Sequence, residues 1–93
     1  MTQSTEFAGP GCRTALITGG TSGLGLAMAA ALAEAGLRVA LTGRSGERAA
    51  RAAEGLPGAF GLEMDVRDEE SVARGTAAAW SRLDGIDLLA AAR

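Results

Sequence analysis

The 93-residue sequence has no histidine and no tyrosine, only one cysteine and two prolines, and all nine of its basic residues are arginine, so it has no lysine. Each absence excludes something. Without His, and with Cys12 as the only thiol, the chain lacks the ligands of a zinc cluster. One thiol also forms no internal disulfide, which fits a reducing compartment. Without Lys, no glycine loop here completes the P-loop pattern G-x-x-x-x-G-K. The arginines are scattered and the net charge is -2, so no basic stripe offers itself to nucleic acid. No apolar run reaches the length of a membrane-spanning helix. The first eleven residues are polar, carry Glu6, and have neither a basic start nor an apolar stretch, so they do not read as a signal peptide. These exclusions lead to the expectation of a cytoplasmic protein with no nucleic-acid or membrane partner.

What is present is a globular composition, 47% apolar and 22% charged. Residues 1–11 read as a flexible tail ending in Gly9-Pro10-Gly11, and residues 12–93 as one domain. A short apolar strand is expected over 13–18. A helix is expected over 24–35, with Leu24, Met28, Ala31, Leu32 and Ala35 at helical spacing and Gly36 as its cap. A second strand follows over 38–42. Residues 45–54 read as an exposed helix in which Glu47 and Arg51 stand four apart. A third strand spans 60–64. Asp68 caps a third helix that starts with Glu69 and Glu70, runs to about Leu83, and buries Val72, Ala79, Trp80 and Leu83. Asp84-Gly85 turns the chain into a fourth strand over 86–91. Strands alternating with helices through short connections argue a parallel sheet with helices on its faces.

Residues 18–25 read T-G-G-T-S-G-L-G between the first strand and the first helix. A tight glycine turn between a strand and a helix aims backbone N–H groups and the positive end of the helix dipole at an anion. Glycine belongs where the backbone takes positive φ or must approach a phosphate closely, which suits Gly19, Gly23 and Gly25. Thr21 and Ser22 add hydroxyls. The bland alternative is a tight helix entry with no ligand.

The pattern Thr18-Gly19-x-x-x-Gly23-x-Gly25 resembles the N-terminal signature of the short-chain dehydrogenase/reductase family. Three further segments resemble that family at its spacing. L-T-G-R-S (41–45) ends the second strand with Arg44 after Gly43, and no acidic residue stands at 42–46. An acid there would hold the adenosine ribose hydroxyls, whereas an Arg holds a 2′-phosphate bidentately and can stack on adenine. M-D-V-R-D (64–68) supplies Asp65 and Val66, to which the resemblance assigns contacts with adenine. G-I-D-L-L-A-A-A-R (85–93) resembles the family's fourth strand, with the departure that Ala91 and Ala92 stand where the family carries two Asn.

The resemblance implies a Rossmann-like, partial doubly wound sheet of about four strands in the order 3-2-1-4 with three helices. It implies a dinucleotide site built from Gly19, Thr21, Ser22, Gly23, Leu24, Gly25, Arg44, Asp65 and Val66, with NADP preferred over NAD. The family's catalytic Ser, Tyr and Lys belong to a region these residues do not match. The reading is thus the NADP(H)-binding, N-terminal part of an oxidoreductase, inactive by itself. The alternative is a nucleotide-binding module or relic without redox chemistry. The fourth strand would be an exposed edge through which copies could self-associate; the first two helices would cover one face of the sheet and the third only part of the other, which would leave the fold marginally stable or in need of a partner.

Overall fold

The computed structural model describes residues 13–21 and 23–91. The expected tail, Cys12, Ser22, Ala92 and Arg93 lie outside the described residues. The elements are β1 (Thr14–Thr18), α1 (Gly23–Glu34), β2 (Arg38–Gly43), α2 (Gly46–Ala53), β3 (Ala59–Glu63), α3 (Glu69–Leu83) and β4 (Leu88–Ala91). All strand pairs are parallel, as the alternation of elements predicts, and their order is β3-β2-β1-β4, as the family resemblance implies. Ends of elements shift by one or two residues from the sequence expectation, which is ordinary fraying.

The strand sequences explain the layering. In a strand, neighbouring side chains point to opposite faces. On one face, Ala15 and Ile17 of β1 and Val39 and Leu41 of β2 pack under α1 and α2, meeting Ala29, Leu32, Ala33, Ala49 and Ala53. On the other face, Leu16 and Ala40 meet Ala79 and Leu83 of α3. The near-continuous apolar runs of β1 and β2 therefore reflect burial from both sides, as in parallel sheets generally.

Small residues set how closely the helices approach. An added Cβ at Gly61 in β3 would run into the backbone of Ala49, so α2 lies directly on that strand. Ser45 caps α2, its Oγ accepting from the Arg48 N–H at 3.2 Å. The expected Glu47–Arg51 pair is present at 3.9 Å but solvated on both sides, so it adds little. Asp68 caps α3 by accepting from the Glu70 N–H at 3.0 Å, and α3 ends on Asp84 in the left-handed region (φ 59°).

The structure chooses the buried face of α1 and corrects the expected burial of Trp80 and Val72 in α3. In α1, the residues turned to the sheet are Gly25, Ala29, Leu32 and Ala33, whereas Leu24 is 67% exposed, Ala31 is exposed, and Met28 and Ala35 are half-buried. The helix is apolar on nearly every side, so spacing alone does not choose a face. Close packing does, because the small side chains let the helix sit low on the sheet. Trp80 is 58% exposed rather than core. The buried row of α3 is Ser71, Gly75, Ala79 and Leu83, each one turn apart, which seats the helix over β2 and β3. Trp80 is thereby turned sideways into an apolar groove of about 520 Å³ that also takes in Leu16, Met64, Val72, Ile86 and Leu89. As expected, the third helix covers only part of its face. Val72 lines this groove half-buried.

Candidate functional site

The C-terminal ends of the strands lie along one edge of the sheet. The register sets Thr18 beside Thr42 and Ala91, and Gly43 beside Glu63. Every segment singled out in the sequence leaves from this edge: the glycine loop after β1, Arg44 after β2, and Asp65-Val66 after β3. In open α/β sheets, ligands bind in the crevice outside these carboxyl ends.

Gly19 and Gly23 have φ of 74° and 60°, a region that residues with a Cβ rarely adopt. Gly23 begins α1, and a Cβ added there would meet nothing within 4 Å. The loop thus needs its glycines for backbone conformation, and the space beside Gly23 is open to a ligand at the helix N-terminus. Gly25 is buried two residues further into α1, where it allows the helix to rest on the sheet. Leu24, between them, is exposed. The Gly20 N–H donates to the Thr42 carbonyl at 2.9 Å, tying the loop to the end of β2.

Thr21 lies against Gly43: an added Cβ at Gly43 would stand 2.6 Å from Thr21 Cγ2. The next residue, Arg44, is exposed. The Met64 N–H donates to the Gly43 carbonyl at 2.8 Å, extending the β2–β3 ladder by one step. That step sets Asp65 close to Arg44, whose charge reaches its carboxylate.

Asp65 is engaged by its own segment. Its Oδ1 accepts from the Arg67 N–H at 3.0 Å and from Arg67 Nε at 3.1 Å, and its Oδ2 accepts from Arg67 Nη2 at 3.3 Å. The Arg67 side chain, then its N–H, hold this carboxyl below the usual carboxylate range, with Arg44 adding a smaller pull. The Asp65 N–H donates to the buried Ser71 Oγ at 2.8 Å, which fixes the backbone where the chain leaves β3. Val66 is 63% exposed beside this turn.

The sequence reading missed Arg67 and Ser71. An Asp two residues before an Arg is a signal for a side-chain turn of this kind, and could have identified the first. The second depends on α3 folding back against the turn. A further cleft, lined by Thr21, Leu26, Arg48, Arg51 and Ala52, opens between α1 and α2. Among the described residues, no three His, Cys, Asp or Glu side chains gather to hold a metal, and no helix is long and apolar enough to cross a membrane.

Comparison with known proteins agrees with this arrangement. The sequence profile of the family described as short chain dehydrogenase matches residues 13–92. A 3-oxoacyl-(acyl-carrier-protein) reductase of Aquifex aeolicus is 42% identical over 82 residues, covering 83% of this chain and 33% of its own. The crystal structure of a 3-ketoacyl-(acyl-carrier-protein) reductase from Brucella melitensis, complexed with NADH, superimposes with a TM-score of 0.79 at 33% identity, over 83% of this chain and 32% of that one. An actinorhodin polyketide ketoreductase with NADPH gives 0.80 at 32% identity, over 91% and 34%. The chain spans about a third of the length of these relatives. With the sheet order, the glycine loop and the profile in agreement, the chain belongs to the short-chain dehydrogenase/reductase family.

Proposed function

We propose that these residues form the NADP(H)-binding part of an oxidoreductase, with the TGGTSGLG loop at the pyrophosphate and Arg44 at the adenosine 2′-phosphate. The observation that carries this reading is the junction at the sheet edge: positive-φ glycines opening α1, with Arg44 exposed immediately beyond the Thr21–Gly43 contact. The loop has the conformation and the open space that a phosphate group requires. Thr21 and Ser22 supply hydroxyls on the same loop. Arg44 supplies a planar, permanently charged donor set suited to a phosphate dianion, and no carboxylate stands at 42–46 to favour a ribose hydroxyl. Asp65 and Val66 would border the adenine.

The nicotinamide cofactor supplies the hydride when bound. This chain's own residues bind and orient it, and a proton for the substrate oxygen must come from elsewhere. The family's Tyr and Lys have no counterpart among these 93 residues, so the chain alone is expected to turn over nothing. That lack also keeps the second reading in view, a nucleotide-binding module without redox chemistry. A reductase assay of the purified chain separates the two from any self-sufficient enzyme. Self-association through the outer edge of β4, which has no neighbouring strand among the described residues, belongs to the same reading and is checked by sedimentation velocity.

Thermal unfolding of the chain with NADPH, with NADH and with neither tests the proposal. A ligand at about 100 times its Kd stabilises by about 2.7 kcal/mol, a shift plainly measurable in a domain of this size. NADPH should raise the midpoint more than NADH, and Arg44→Ala should remove the difference. A midpoint indifferent to both nucleotides would falsify the reading.

A further inference from the structure

Gly43 poses a question that the glycine loop does not. It lies in β2, pairs in register with Glu63, and is not among the positive-φ glycines. Its backbone conformation is therefore open to any residue, and a reason for glycine must be sought in space rather than in φ. Among the described residues, the three atoms nearest to the Cβ position all belong to Thr21. An added Cβ would meet Thr21 Cγ2 at 2.6 Å, but Thr21 Oγ1 at 3.5 Å and Thr21 Cβ at 3.6 Å, both ordinary contacts. A single methyl group excludes a side chain at position 43.

The backbone that carries this methyl is tied to β2. The Gly20 N–H, one residue earlier, donates to the Thr42 carbonyl at 2.9 Å. A Cβ added at Gly20 would stand 2.9 Å from Leu41 Cβ, so the backbone that leads into Thr21 lies tightly on the end of β2. Thr21 is β-branched, and its methyl is one restricted torsion from the backbone.

We propose that Thr21 and Gly43 are a coupled pair that sets which adenosine the site accepts. The Thr21 methyl keeps the end of β2 free of a side chain, and so free of a carboxylate that would accept from a ribose 2′-hydroxyl and repel a 2′-phosphate. Arg44 is then the first side chain available after the strand. The selectivity half of this proposal rests on the cofactor reading above. The steric half does not.

The test separates them. Nucleotide-free thermal unfolding of the full chain is compared for wild type, Thr21→Ser, Gly43→Ala and the double variant. Gly43→Ala should lower the midpoint by about 5 °C or more. Thr21→Ser, which keeps the hydroxyl, should change it little, and the double variant should recover at least half of the loss. A double variant as unstable as Gly43→Ala overturns the coupling. Calorimetric titration with adenosine 2′,5′-bisphosphate and with 5′-AMP then reads selectivity. Thr21→Ser/Gly43→Asp should shift the ratio of the two dissociation constants towards 5′-AMP by about tenfold or more. Gly43→Asp alone should lose affinity for both. A double variant with an unchanged ratio, or a single Gly43→Asp variant that shifts the ratio equally far, overturns the selectivity claim. Wild type binding neither ligand overturns the cofactor reading and the selectivity with it, and the unfolding comparison still decides the steric pair.

Discussion

The Thr14 hydroxyl donates to the Gly85 carbonyl at 2.8 Å and accepts from the Asp87 N–H at 3.0 Å, so one side chain couples the first residue of β1 to the turn that enters β4. Thr14 is buried, and replacing its hydroxyl by a methyl takes the donor from the Gly85 carbonyl and leaves the Asp87 N–H with only its 3.2 Å bond to the Thr14 carbonyl. Thr14→Val keeps the shape and the strand propensity. It is expected to destabilise the chain by about 1–3 kcal/mol, the usual penalty for leaving buried polar groups unpaired. Urea unfolding followed by circular dichroism measures it. A change of a few tenths would mean that water replaces the hydroxyl without loss.

Asp87 acts at the same junction and adds a pH dependence. Its Oδ2 accepts from the Arg13 N–H at 2.8 Å and the Thr14 N–H at 3.2 Å. The Arg13 bond, first, and the Thr14 bonds after it hold the carboxyl below its usual range, against partial desolvation that pushes it up. A group with a lowered folded pKa binds fewer protons in the folded state than in the unfolded one. Its stabilisation is thus complete above the unfolded value of about 3.9 and is lost as pH falls through the lower folded value. Asp65 is shifted in the same direction, so the acid limb belongs to both. Asp87→Asn should flatten, without abolishing, the fall in melting temperature below about pH 4. An unchanged acid limb in that variant would exclude Asp87 as a contributor.

Close approach of α2 to β3 gives a third prediction. Gly61 faces the backbone of Ala49 with no room for a methyl group. Gly61→Ala must lift the helix off the strand and is expected to destabilise by about 3 kcal/mol or more. Gly55→Ala is the control, because a Cβ there meets nothing and φ is not positive. It should be neutral, or stabilising by up to about 1 kcal/mol through the unfolded state. Equal effects of the two substitutions would contradict the packing described.

Element order was legible in the sequence because each element is short, apolar in its own period, and bounded by Gly, Pro or a capping side chain, whereas the sheet order came from the family resemblance. The glycine loop was legible because its spacing encodes positive φ at fixed offsets from a strand end. The buried face of α1 was not, because a helix apolar on most sides carries no directional signal. Trp80 misled for a related reason: a large aromatic on an apolar helix usually marks the core, yet here the row of Ser71, Gly75, Ala79 and Leu83 decides the seating. The Thr21–Gly43 contact joins positions 22 residues apart and becomes visible only once β1 and β2 pair.

Arg67 gives the last prediction, at the site itself. Its guanidinium and its N–H both bind the Asp65 carboxylate, and they have separable roles. The N–H bond shapes the turn that carries Asp65 and Val66, whereas the guanidinium supplies the larger part of the pKa shift. Arg67→Ala removes the guanidinium and leaves the turn. Because the Arg67 side chain is 70% exposed and that of Asp65 33% exposed, the ion pair is well screened, and the melting temperature should hardly move. The Asp65 carboxyl should titrate at a higher pH than in the wild type while staying below its ordinary value, because the N–H bond and the Arg44 charge remain. The Asp65 side-chain carbon resonance followed by NMR against pH reads this directly. An unchanged titration would show that the guanidinium does not hold the carboxylate in solution. A titration at the ordinary value would show that the turn had opened with it, and the adenine side of the proposed site would then depend on Arg67, a residue of the M-D-V-R-D segment to which the resemblance assigns no contact.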